Sequence, residues 1–154
     1  MNEQRHQPSA AQLAEIDATC ACSNVRKAAR VVTQLFDEVL QPTGLRSTQF
    51  TLLVAVARLR EAPVTQLSRA LVMDRTTLAR NLKPLESLGL LTVEAGTDRR
   101  KHLAKLTEDG RQALASALPY WEQAQHRVVT RLGQERWHAL RSSLQATMTL
   151  AQPV

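Results

Sequence analysis

Residues 65–89, TQLSRALVMDRTTLARNLKPLESLG, decide the fold. Thr65 is placed to cap a short helix from Gln66 to Leu71, Val72-Met73-Asp74 is a tight connector, and a second helix runs from Arg75 to about Leu88. Gly89 stops that helix, because glycine tolerates the left-handed backbone of a helix terminus. At about 100° per residue, Leu78, Leu82 and Leu85 line one side of the second helix. Thr76, Arg80, Lys83 and Ser87 then fall near the centre of the opposite side, with Thr77 on its flank. A helix-turn-helix needs this division, since its second helix lies in the DNA major groove while the first braces it. Short hydroxyls at the start of the helix reach base edges or phosphates, Arg80 is long enough to take guanine in a bidentate pair, and Arg75, beside the N-cap Asp74, is better placed for phosphate. Pro84 removes the backbone donor for the carbonyl of Arg80, so a bend or an early end to the helix is expected there.

A charged outer face on a lone amphipathic helix is ordinarily just a solvated surface. The downstream sequence changes that judgement. Leu90 to Glu94 and His102 to Leu106 read as two short strands joined by the polar turn of residues 95–101, a hairpin with Arg99, Arg100 and Lys101 at its tip. Cations at the end of a two-stranded projection suit the narrow minor groove beside a helix in the major groove. Asp98 is within reach to hold one arginine while the other enters the groove, and spacing leaves open which does which.

Asp98-Arg99-Arg100, followed by residues 103–110, LAKLTEDG, resembles the wing and exit of the MarR family of regulators; residues 67–78, LSRALVMDRTTL, with Leu85-Glu86-Ser87-Leu88-Gly89-Leu90, are similar to that family's DNA-reading segment. Val72 departs from it, standing at a turn position often taken by glycine. The resemblance implies a mainly α fold with a small β-hairpin wing, a winged helix-turn-helix. It further implies a homodimer in which the first and last two helices interlock and present two reading segments to a palindromic operator. The DNA-binding residues expected on this basis are Arg75, Thr76, Thr77, Arg80, Lys83, Arg99, Arg100 and Lys101.

The flanks of this segment fit the same plan. Residues 1–11 are polar and read as a loose arm. From Gln12 to Leu40 there is no Gly or Pro, which gives a long helix with an interruption expected near Cys22-Ser23-Asn24, ended by Pro42-Thr43-Gly44. Ser47 is expected to cap a helix to about Arg58, and Ala62-Pro63 to be a turn. Thr107 caps a long helix to about Leu132, with Pro119 a candidate kink, and Gly133 separates it from a last helix reaching about Ala151. One domain is expected over 1–154: dimerisation helices at 12–44 and 107–151 around a DNA-binding lobe at 45–106. Leu35, Phe36, Val39, Trp121, Val128, Val129, Leu132, Trp137, Leu140 and Leu144 exceed what a small winged lobe covers, which argues for a second copy.

The net charge of +6 favours an acidic partner. Its distribution is more specific: residues 64–106 hold eight Lys/Arg against four Asp/Glu, a local +4. Concentration in one segment is what phosphate binding by counterion release requires. No signal-peptide core and no membrane-length apolar run is present, so a cytoplasmic location is expected. No nucleophile elbow, phosphate-cradling glycine loop or metal-binding helix motif occurs, so neither an enzyme, a cofactor nor a structural metal is expected.

Cys20 and Cys22 are candidate sensing residues, unranked between themselves. Two apart on a regular helix they point away from each other, whereas in an extended segment both would face one side. The resemblance makes oxidant sensing conceivable, since members of the family carry a reactive cysteine near the first helix, and Arg26 or Lys27 would favour a thiolate. It equally implies a small aromatic or phenolic effector in a cleft beside the DNA-binding lobe, with Arg30 or Arg46 as a carboxylate partner. The function expected is a sequence-specific repressor released by such a signal. The rival is a basic architectural DNA-binding protein without an effector.

Overall fold

The computed structural model describes residues 7–96 and 102–151. Helix α1 (Ala10–Thr19) starts inside the expected arm because Ser9 and Gln12 form a reciprocal cap: the Ser9 hydroxyl accepts the Gln12 N–H while the Gln12 side chain accepts that of Ser9. Helix α2 (Ala21–Leu40) follows after a break at Cys20, whose backbone is extended. The interruption therefore falls two residues before the expected site. Asn24 secures the corner: its side-chain amide donates to the Ala18 carbonyl at the end of α1 and to the Cys20 carbonyl, which also accepts the Asn24 backbone N–H. Lys27 pairs with Asp17 across the same corner at 2.7 Å.

A 3-10 turn (Gln41–Thr43) and Gly44, at φ 73°, lead into α3 (Ser47–Leu59). Ser47 is the first helical residue rather than the cap; its N–H donates to Asp37 at 2.7 Å and the Arg46 N–H to Gln49 at 2.9 Å. Ala62–Pro63 is not a turn but a two-residue strand, β1. It pairs antiparallel with β3 (His102–Leu106), which pairs on its other side with β2 (Leu91–Ala95), giving the sheet order β1-β3-β2. Between β1 and β2 lie α4 (Val64–Ala70) and α5 (Arg75–Ser87). Thr107 caps α6 (Glu108–Leu132), which continues through Pro119, and Gly133 separates it from α7 (Gln134–Met148).

The core joins the two parts of the chain. Leu40, Leu45, Phe50, Leu52, Leu53 and Val56 meet Leu67, Leu78, Leu82 and Leu85 from α4 and α5, with Leu91, Ala104 and Ala117 from the wing and α6. Phe50 stacks on Trp121 of α6 with centroids 6.4 Å apart. Trp121 packs against this core from α6, and Val39 and Val128 are buried within the single chain. Large apolar side chains that stay uncovered include Leu13 and Ile16 on α1, Val25, Val31 and Val32 on α2, Leu118 and Leu132 on α6, and Leu140, Leu144 and Met148 on α7.

Candidate nucleic-acid interface

Helix α5 buries Leu78, Leu82 and Leu85 completely or nearly so, and this orients everything else on it. Arg75, Thr76, Thr77, Arg80 and Lys83 are all exposed, with Thr76, Arg80 and Lys83 spaced along one outward stripe. Both turns that hold the helix are Schellman closures. At the start, the Val72 N–H donates to Arg69 and the Met73 N–H to Ser68; at the end, the Gly89 N–H donates to Glu86 and the Leu90 N–H to Leu85. The geometry requires a left-handed residue in each, which Gly89 supplies at φ 71° without strain. Val72 takes φ 51° in the other, an uncommon conformation for a β-branched residue.

Pro84 does not end α5. The helix runs on to Ser87, and the Leu88 N–H bonds the Pro84 carbonyl at 3.1 Å. Proline forfeits only its own bond to the Arg80 carbonyl, and Pro84 lies on the exposed side of the helix. The last turn is instead tied to the wing: the Glu86 carboxylate accepts the Val93 N–H of β2 at 3.2 Å. The sequence showed Glu86 only as one acid in a basic stretch; an unpaired N–H on an edge strand was the missing signal.

At the start of α5 the Asp74 carboxylate takes both hydrogens that Thr77 offers, the backbone N–H at 2.8 Å and the hydroxyl at 2.6 Å. Those bonds, the hydroxyl first, hold the Asp74 carboxyl below its usual range. On the other flank of the lobe, Lys105 pairs with Glu61 at 3.0 Å, and Glu61 keeps its ammonium charged above the usual lysine range. Lys105, counted in the basic stretch, is therefore committed to holding β3 against the approach to β1. Arg99, Arg100 and Lys101, with Asp98, lie outside the described residues.

Thr107 closes the lobe. Its hydroxyl donates to the Gly89 carbonyl at 2.6 Å and accepts the Gly110 N–H at 3.0 Å, while its own N–H reaches the Leu90 carbonyl. Gly110 sits so close to that carbonyl that a Cβ would overlap it. The end of α5, the start of the wing and the first turn of α6 meet at this point.

A chain of this shape is known. A crystal structure of the Mycobacterium tuberculosis transcriptional regulator MosR in complex with DNA matches it with a TM-score of 0.79 and 36% identity, over 86% of this chain and 96% of that one. The MarR family model matches residues 43–101, from the end of the 3-10 turn after α2 to the residue before β3. The chain belongs to the MarR family. The repressor CouR, solved on a 23-mer DNA duplex, is 25% identical with a TM-score of 0.76, over 92% of this chain and 99% of that one. A Bacillus subtilis protein, the HTH-type transcriptional regulator YwoH, is 27% identical over 85 residues, 55% of this chain. The chain spans 62% of the length of that relative. The protein is thus a MarR-family DNA-binding transcriptional regulator with a winged helix fold, in a family of non-enzymatic proteins.

The other expected sites are less assembled. Cys20, half-buried, occupies the corner between α1 and α2, and Cys22, exposed, lies in the first turn of α2. A recess of about 290 Å³ opens between α2, α3 and the α4–α5 connector, lined by Phe36, Leu52 and Met73 with Ser47, Thr51 and Asn81. Neither arginine considered for an effector lines it: Arg46 lies 3.9 Å from Asp37, and the Arg30 guanidinium bonds the Arg26 carbonyl. Among the described residues no helix is long and apolar enough to cross a membrane.

Proposed function

We propose that the protein is a homodimeric repressor that reads a palindromic operator with α5 and the wing. Arg75, Thr76, Thr77 and Arg80 are assigned to the major groove and its bordering phosphates, with Lys83 beside them and Arg99, Arg100 and Lys101 in the minor groove. The observation that carries this reading is the outward stripe of α5, held rigidly against the wing by Glu86 and Thr107. The solved DNA complexes of MosR and CouR, proteins of similar shape, support it. Pairing of two copies is supported by the uncovered apolar side chains on α1, α2 and α7, which a twofold partner would bury.

The same reading gives the recess beside α5 to a small, largely apolar effector of aromatic or phenolic type. Its walls combine Phe36 and Met73 with the hydroxyls of Ser47 and Thr51, and they supply no cation. A ligand there would touch both α2 and the α4–α5 connector, and so favour one spacing of the two reading helices over another. Cys20 supports an oxidant signal as well, since a modified thiol adds bulk at the corner where α1 turns into α2.

Selection of bound DNA from a random pool, followed by competition with excess unrelated DNA, tests the proposal. A palindrome that survives competition is expected; uniform binding would leave a basic architectural protein. Sedimentation at working concentration should give twice the chain mass. A double Cys20→Ser, Cys22→Ser variant that still releases DNA on peroxide treatment removes the thiols from the signal.

A further inference from the structure

We propose that Asp74 fixes Thr77 as a hydrogen-bond acceptor, so that Thr77 selects a base pair through an exocyclic amino group, adenine N6 or cytosine N4. This rests on the assignment of α5 to the major groove. An ionised carboxylate only accepts hydrogen bonds. At 2.6 Å from Asp74 Oδ2, the Thr77 hydroxyl must therefore point its proton at the carboxylate. The carboxylate is not free to turn away, because its other oxygen holds the Thr77 backbone N–H at 2.8 Å as the cap of α5. Thr77 is exposed, and all that its hydroxyl has left to offer a partner is lone pairs.

That polarity decides what it can meet. Phosphate oxygens, guanine O6 and N7, adenine N7 and thymine O4 are all acceptors and gain nothing from a second acceptor; the amino groups of adenine and cytosine are the donors of the major groove. A Thr at this place would ordinarily be read as a phosphate contact, since hydroxyls near the start of a DNA-reading helix commonly donate there. The charge of Asp74 beside it opposes that role further. The two bonds from Thr77 favour the ionised carboxylate and hold its pKa below the usual range. Asp74 thus acts as a positioning residue, and Thr77 as the specificity-determining one.

Asp74→Asn inverts the arrangement without removing the cap. Asn is as good an N-cap as Asp, its oxygen can keep the Thr77 N–H, and its nitrogen then faces the Thr77 hydroxyl as a donor. The hydroxyl proton is released outward. The test uses the full chain, with thermal melting to show that wild type, Asp74→Asn and Thr77→Val all fold. Each is taken through selection from random DNA and then titrated against the selected site and its single-pair variants. Wild type should prefer an amino-bearing base at one pair in each half-site, with about three- to tenfold weaker binding when that pair is reversed. Asp74→Asn should reverse the preference at that pair alone, and Thr77→Val should abolish it. If Asp74→Asn keeps every preference of the wild type, the proposal is overturned, even if affinity rises uniformly from the lost negative charge. If wild type selects no sequence at all, the assignment of α5 fails and this proposal with it.

Discussion

Gly110→Ala should lower stability, although the usual rule for a helix points the other way. Gly110 lies in the first turn of α6, and replacing a helical glycine by alanine ordinarily gains up to about 1 kcal/mol. Here the new Cβ would overlap the Leu90 carbonyl oxygen, a backbone atom with no rotamer to yield. Overpacking of this kind costs about 1–3 kcal/mol. Moving α6 away also strains the bonds of Thr107 to the Gly89 and Leu90 carbonyls, worth about 0.5–1.5 kcal/mol each. After subtracting the helical gain, the net loss is about 3 kcal/mol, which for a chain of this size lowers Tm by about 6–12 °C. Circular dichroism or calorimetry at one fixed protomer concentration measures it, since association makes Tm concentration-dependent. Ser116→Ala, exposed further along the same helix, serves as the neutral control. A Gly110→Ala variant that melts at or above wild type would refute the close approach of α6 to the wing.

Arg80→Ala should weaken operator binding by about 1–3 kcal/mol and flatten the preference at one base pair, while Arg99→Ala should weaken binding to all sequences and reduce the salt slope by about 1; titrations at several salt concentrations distinguish them. Val72→Gly should stabilise the chain by about 0.5–1 kcal/mol, because relief of the left-handed backbone outweighs the entropy lost by glycine, and Val72 is 57% exposed so little burial is given up; a lower Tm would count against the strained turn. Asp74 has its pKa lowered from 3.8, so its contribution is present above that value and is lost as pH falls through the depressed one. Melting curves from pH 6 to about pH 3 should therefore show Asp74→Asn losing less stability on acidification than wild type.

The helices of the lobe were legible because their signals are local. Leucines at 78, 82 and 85, a capping Asp74 and a closing Gly89 each speak for themselves within a few residues. Strand β1 was hidden because two residues, one of them proline, make no periodic pattern and exist as a strand only through pairing with β3, some forty residues later. The break at Cys20 was misplaced for a similar reason: a side chain four residues on, Asn24, supplies bonds that secure the corner. Trp121 shows the limit of counting apolar residues, since hydrophobicity does not say whether the covering surface is Phe50 of the same chain or another copy. Of the candidate DNA contacts, the α5 set was readable from periodicity, but the direction of the Thr77 proton depends on a carboxylate three residues away in a specific geometry.

The wing sheet has two open sides, and both are blunted. On one, β1 is only two residues long and ends in Pro63, which has no N–H to offer. On the other, Glu86 already occupies the Val93 N–H of β2. A bare hairpin that must wait in water between encounters would otherwise be a template for its neighbour's hairpin, the first step of strand-by-strand polymerisation. With those positions taken, the wing presents a neighbouring strand with fewer places to begin a ladder.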